Sequence, residues 1–156
     1  MPPTSVERVI GAARERGLEL GVQEFPEGTR TARDAANAVG VALGQIVKSL
    51  VFMADGRPVV ALVSGSNRLD TAKLAALTGA GMVERADAEG ARAATGYVIG
   101  GTPPFGHAQP MPVYIDRDLL RYDVVWAAAG TPHHNFPIAP DELVRCSEGV
   151  VADLKE

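Results

Sequence analysis

Two apolar runs joined by one turn signal constrain this chain more than any other feature. Residues 46–54 read IVKSLVFMA, residues 58–63 read PVVALV, and Asp55-Gly56 lies between them. Asp-Gly readily takes the paired positive φ angles of a two-residue type I′ turn, so the runs are expected to fold back on each other as a hairpin. Alternation puts Ile46, Lys48, Leu50 and Phe52 on one face of the first strand, and Val47, Ser49, Val51 and Met53 on the other. Both faces are largely apolar, as in a strand covered on both sides. Lys48 breaks the pattern. A buried, unpaired ammonium is costly, so Lys48 must snorkel to water, find a carboxylate, or line a cavity that holds an anion.

Around this hairpin the sequence alternates helix and strand signals. Residues 4–16 read as a helix with a Thr4/Glu7 capping box, an apolar face of Val6, Val9, Ile10 and Ala13, and Gly17 just past its end. Residues 18–25 read as a strand stopped by Pro26, and residues 31–39 as a short helix with Ala32, Ala35, Ala36 and Val39 inward. A helix runs from near Asp70 to Gly79, with Arg68 and Lys73 as solvated basic residues, and Asp87 caps another through Ala94. Further strands are expected at 113–116, 122–129 and 150–154, with extended chain at 137–138. Pro140 opens a last helix through Cys146, where Asp141 and Glu142 suit the helix dipole. Mixed hairpin and crossover connections predict an α/β (α+β) fold: one domain over residues 1–156, with a mixed, curled, barrel-like sheet and flanking helices. The G-x-G-x-x-G and Walker A patterns are absent.

A second stretch carries the candidate chemistry. Residues 95–107 read TGYVIGGTPPFGH. Tyr97, Val98 and Ile99 are expected to form a central strand that breaks into Gly100, Gly101, Pro103, Pro104, Phe105 and Gly106. Glycine lets a ligand approach the backbone and proline stiffens the loop, so exposed N–H groups there could hold a carbonyl or phosphate oxygen. A plain turn at a strand end is the simpler alternative. A second glycine loop spans residues 130–135.

Composition narrows the partners. Net charge is −4, which argues against broad, sequence-independent nucleic-acid binding but not against contact with an RNA end. Aromatics make up only 5%, too few for a base-stacking platform of the RRM type. A single cysteine, Cys146, allows no internal disulfide, and no apolar run reaches membrane length. A cytoplasmic protein is expected. His107, His133 and His134 lack metal-ligand spacing, so no metal is expected. The SGS string at 64–66 is not a nucleophile elbow, and Cys146 has no histidine near it in sequence. What remains is a lysine in a covered strand beside two glycine loops. Such a site can hydrolyse an ester by fixing an oxyanion and a substrate anion while the substrate itself activates the water.

The strings TARDAANAVGVALGQIVKSLVF, SNRLDTAKLAALTG, TGYVIGGTPPFGH, VYID and AAGTPHHNF, in that order from about residue 29 to residue 154, resemble the YbaK family of aminoacyl-tRNA deacylases. This family is related to the editing domain of bacterial prolyl-tRNA synthetases. The resemblance implies hydrolysis in trans of the ester on a misacylated tRNA, with mischarged tRNA-Pro and a small amino acid as the best match. It implies no metal and no cofactor, with the 3′ acceptor end of aminoacyl-tRNA as partner and prolyl-tRNA synthetase as a candidate second one. A homodimer stays open. The family lysine falls on Lys48, which would orient the terminal adenosine or its phosphates. The family loop falls on Gly100 and Pro104, with Gly101, Phe105 and Gly106 around it, and would hold the aminoacyl carbonyl. Lys48, Gly100 and Gly101 are thus the expected catalytic residues. Thr31, Pro104, Phe105, Gly106, His107, Gly130 and Asn135 are the expected substrate-binding ones. Asn135 stands where some members carry aspartate, which would weaken a charge contact to the substrate amino group. A non-catalytic module that binds an aminoacyl-tRNA or a synthetase is the rival reading, motivated by the acidic net charge.

Overall fold

A computed structural model describes residues 4–156. The hairpin forms as expected. β2 (Val47–Ala54) and β3 (Arg57–Ser64) pair antiparallel from Val47 opposite Ser64 to Ala54 opposite Arg57. The turn needs positive φ at both central residues, and Asp55 (50°) and Gly56 (80°) provide it. β3 is the most enclosed strand: Val60, Ala61, Leu62 and Val63 are all 0% exposed.

Two sheets hold the chain. The larger is ordered β4-β2-β3-β5-β8, adding β4 (Val83–Arg85), β5 (Val113–Asp116) and β8 (Val150–Ala152). The smaller is ordered β1-β7-β6, from β1 (Gln23–Glu24), β6 (Val125–Ala128) and β7 (His134–Ile138). One face of the large sheet packs Val47, Val60, Leu62 and Ile115 against Val125 and Phe136 of the small sheet, Val9 and Leu143. The opposite face packs Phe52, Ala61 and Val63 against Leu74 and Leu154. Both faces of the hairpin are thus buried, which is why its strands read as continuous apolar runs.

Helices close the flanks, and their caps follow the sequence signals. In α1 (Ser5–Arg14) the Glu7 N–H donates to Thr4 Oγ1, and Val9 and Ala13, four residues apart, face the core. In α2 (Ala32–Val39) the Asp34 N–H donates to Thr31 Oγ1. In α3 (Thr71–Thr78) the Asp70 carboxylate accepts from the N–H groups of Ala72 and Lys73. Asp87 caps α4 (Ala88–Thr95), and Pro140 starts α5 (Pro140–Ser147). Short 3₁₀ turns, Leu43–Gln45 and Arg117–Arg121, fill two connections.

Three expectations are corrected. The sheets do not curl into a barrel. The large sheet ends at the short edge strands β4 and β8, and only an isolated bridge from Ile46 to Trp126 links it to the small sheet. Tyr97, Val98 and Ile99 form no strand. Thr95 Oγ1 takes the Tyr97 N–H, and the Val98 carbonyl accepts from Gly101 N and Thr102 Oγ1, so the chain spends its polar groups on turns. Only Tyr97 is buried, at 2% exposure, while Val98 and Ile99 are 39% and 53% exposed. Across residues 18–25, only Gln23 and Glu24 pair with another strand. Leu18, Leu20 and Val22 alternate inward onto the core as extended chain without a ladder.

Candidate active site at the open edge of β2

β4 pairs with β2 only at Phe52, Met53 and Ala54, and the small sheet meets this edge only at the isolated Ile46–Trp126 bridge among the described residues, so no ladder covers the first half of β2 on that side. Backbone polarity follows from the bonds at either end. The Val51 carbonyl accepts from Ala86 N at 3.0 Å on the β4 side, and the Ile46 carbonyl accepts from Gly65 N at 2.8 Å on the β3 side. Odd-numbered residues of β2 therefore point their backbone groups to the open edge, and the N–H and C=O of Ser49 lie there without a strand partner. Its hydroxyl is also buried with no hydrogen-bond partner among the described residues. Buried polar atoms are rarely left unpaired, so this one marks a place where a ligand or water completes the bonding.

A cavity of about 340 Å³ opens along that edge. β2 contributes Lys48 and Ser49, and the loop before α2 contributes Thr29, Arg30 and Thr31. Arg85 of β4, Ile99, Gly100 and Thr102 of the glycine-proline segment, and Asn135 of β7 also line it, and the rest of the wall is apolar. Arg30, Lys48 and Arg85 are its charged residues, and no carboxylate lines it. On a chain of net charge −4, this segregation gives the cavity a positive wall of the kind that suits an anion.

Lys48 is half-buried. Its ammonium donates to the Asn67 backbone carbonyl at 2.6 Å, leaving two N–H groups for a ligand. Burial lowers its pKa from the usual 10.5, Arg85 and Arg68 lower it further, and Asp116 opposes them. Lys48 lines the cavity, and among the described residues no carboxylate pairs with it; its ammonium meets a carbonyl instead.

The other expected site residues divide. Thr31, Gly100 and Asn135 border the cavity with Lys48. Asn135 is 3% exposed, and its amide donates to Thr29 Oγ1, which donates in turn to the Pro132 carbonyl at 3.1 Å. Gly100 has φ of 85°, and a Cβ there would stand 2.9 Å from Arg30 Cγ. Gly101 and Gly130 do not line the cavity. They dock the two glycine loops on each other: a Cβ on Gly101 would stand 2.7 Å from Thr131 Cα, and one on Gly130 2.7 Å from the Ser5 carbonyl oxygen. Pro104, Phe105, Gly106 and His107 border a second cavity, with Glu15, Arg16 and Glu148. Phe105 stacks at a tilt on Phe136 in the core. His107 Nε2 lies 2.8 Å from the Pro103 carbonyl, which can only accept, so that nitrogen carries the proton. Burial depresses the His107 pKa, only partly offset by that bond.

His133 and His134 turn to different partners: Nδ1 of His133 is 3.3 Å from the Phe25 carbonyl, and Nδ1 of His134 is 2.6 Å from Thr131 Oγ1. Among the described residues no three His, Cys, Asp or Glu side chains converge as a metal site. No described helix is long and apolar enough to cross a membrane. Arg30, Ser49 and Arg85 were not singled out in the sequence. Ser49 carried a signal, a hydroxyl beside Lys48 in an apolar strand, whereas the two arginines look like ordinary surface residues until the fold brings them together.

The chain is similar to several known proteins. The chain is 30% identical over 125 residues to EbsC of Enterococcus faecalis, a candidate Cys-tRNA(Pro)/Cys-tRNA(Cys) deacylase, covering 80% of this chain and 76% of that one. It is 36% identical over 118 residues to the proline–tRNA ligase of Nitratidesulfovibrio vulgaris strain DP4, covering 74% of this chain but only 21% of the ligase. A crystal structure of a candidate trans-editing enzyme for prolyl-tRNA synthetase superposes with a TM-score of 0.92 at 49% identity, covering 100% of this chain and 99% of that one. Residues 26–146 match the aminoacyl-tRNA editing domain, and the chain belongs to that family.

Proposed function

We propose that this protein is a hydrolase that acts in trans on a misacylated tRNA, cleaving the ester between the amino acid and the 3′-terminal ribose. The observation that carries the reading is the acid-free cavity at the open edge of β2, walled by Arg30, Lys48 and Arg85. A nucleic-acid end offers the phosphates such a wall binds, and the relatives' descriptions point to the same substrate class.

In this reading the two free N–H groups of the Lys48 ammonium hold the terminal adenosine or its phosphates. The Ser49 N–H at the strand edge, together with the backbone at Gly100, faces the aminoacyl carbonyl and stabilises its oxygen as negative charge develops. Water adds to the carbonyl carbon as the neighbouring ribose hydroxyl of the substrate accepts its proton and passes its own proton to the ester's ribose oxygen, whose bond to that carbon breaks. The products are the free amino acid and the deacylated tRNA. Thr31 and Asn135 border the space left for the side chain, which fits a small residue. Mischarged tRNA-Pro is the substrate that the similarity to proline–tRNA ligases favours, with cytoplasmic action following from it.

The test is a panel of tRNAs mischarged with small amino acids. Wild type should deacylate at least one, and Lys48→Ala should lose about a hundredfold in rate while keeping its fold. A wild type that spares every tRNA in the panel would refute hydrolysis. Tight binding of the same tRNAs without turnover would instead identify a binding module.

A further inference from the structure

We propose that Asn67 is the positioning residue for Lys48: its side chain, clamped between the carboxylates of Asp116 and Asp118, fixes the backbone carbonyl that anchors the Lys48 ammonium. The proposal rests on the role given to Lys48 above and concerns residues outside the cavity wall.

The geometry is a relay of direct bonds. Asn67 Nδ2 donates to Asp116 Oδ2 at 2.8 Å and to Asp118 Oδ2 at 2.9 Å, so both of its amide hydrogens are committed. The Asn67 N–H donates to the Ser64 carbonyl at 2.9 Å, which fixes the main chain of the same residue. The carbonyl left over is the one that Lys48 Nζ meets at 2.6 Å. Asparagine is the side chain this position needs. It supplies two donors to two carboxylates, whereas aspartate would repel them and leucine would remove both bonds.

The clamp is itself anchored. Asp116 is 0% exposed. Its Oδ2 also accepts from the Ser64 N–H at 3.0 Å, and its Oδ1 accepts from the Asp118 N–H at 3.0 Å. Asp118 Oδ2 accepts from Lys155 Nζ at 2.9 Å, which ties the clamp to the last residues of the chain. Among the described residues no cation lies within ion-pair distance of Asp116. A buried carboxylate satisfied only by neutral donors is a costly feature for a fold to keep. Here it holds the loop between β3 and α3 in one arrangement and lends its charge to the nearby lysine. The electrostatics agree, since Asp116 works against the burial and the two arginines that disfavour the Lys48 cation. A lysine side chain turns about four carbon–carbon bonds, so an anchored ammonium is worth more to catalysis than a free one.

The experiment uses the full chain and two readouts. Asn67→Ala should cut kcat for a mischarged tRNA by about tenfold to a hundredfold with KM changed less than about twofold, because positioning rather than uniform binding is lost. In a Lys48→Ala background the same change should cause no further loss. Independently of activity, the ¹H–¹⁵N signal of the Lys48 ammonium should be visible in wild type and vanish in Asn67→Ala as the protons exchange with water. If Asn67→Ala fails to fold, Asp118→Ala removes one arm of the clamp and is read the same way. Unchanged kcat with an unchanged ammonium signal overturns the proposal, and so do losses that multiply in the double variant. A vanished ammonium signal in a protein whose wild type deacylates nothing upholds the clamp and sinks the catalytic reading alone.

Discussion

The Gly130 N–H donates to the Gly101 carbonyl at 2.9 Å, so the two glycine loops are one structure. Neither residue lines the Lys48 cavity, yet Gly100, next to this junction, does. The glycines set the wall by letting two backbones touch. Replacing Gly101 with alanine should therefore act through sterics, since its Cβ would stand 2.7 Å from Thr131 Cα. We expect a loss of about 1–3 kcal/mol in stability, read by urea denaturation, together with reduced deacylation. A stable, fully active Gly101→Ala would show that the loops can part freely.

The depressed pKa of Lys48 predicts an early alkaline limit. In the proposed reaction its ammonium is the working form, and burial, followed by Arg85, lowers its pKa from 10.5. The enzymatic component of deacylation, corrected for spontaneous ester hydrolysis, should fall as pH rises through a value below 10.5. Removing the nearby cation with Arg85→Gln should move that limit upward. A limit that stays put would mean that Arg85 does not act on the lysine.

His107 predicts an acid-side loss of stability. Burial lowers its folded pKa from 6.5, so the unfolded chain binds the proton more readily. Its contribution is present above 6.5 and is lost as pH falls from there through the depressed value. Thermal melting followed from pH 7.5 to pH 5 should show this slope, and His107→Gln should flatten it. Asp118 adds a second, lower step: the Lys155 and Asn67 hydrogen bonds hold its pKa below 3.8, so its share disappears only as pH falls through that lower value.

Asn135 offers a test of how dry this part of the site is. It is buried, and its amide donates to Thr29 Oγ1. Asn135→Asp puts a carboxylate where burial favours the neutral acid, so the folded pKa rises. The variant should melt lower than wild type at pH 7 and recover toward it at pH 5, since the protonated form fits the site. Equal melting at both pH values would mean that water reaches the carboxylate freely.

A helix cap gives the control for stability without chemistry. Asp70 holds two N–H groups of α3 and does not line the cavity. Asp70→Ala should cost about 0.5–2 kcal/mol and leave kcat near wild type. A large loss of activity at unchanged stability would show that α3 is coupled to the site.

What the sequence could determine was local. The turn at Asp55-Gly56, the caps at Thr4, Thr31, Asp70 and Asp87, and the doubly covered β2 depend on neighbouring residues and on periods of 2 and 3.6. The oddity of Lys48 was equally plain, because a lysine in an apolar strand poses a solvation problem wherever that strand lies. Tertiary structure decided the rest. Val98 and Ile99 look like strand residues, but a strand needs a partner, and Gly101 and Thr102 claimed the Val98 carbonyl for a turn. The unpaired edge at Ser49 exists because β4 stops short, and the arginines reach the cavity from separate segments. Asn67 could not be recognised in the chain, since its meaning comes from two aspartates brought to it across 49 and 51 residues of sequence. Local conformational energy is written in adjacent residues, whereas a site is made by distant ones and by the solvent they exclude together.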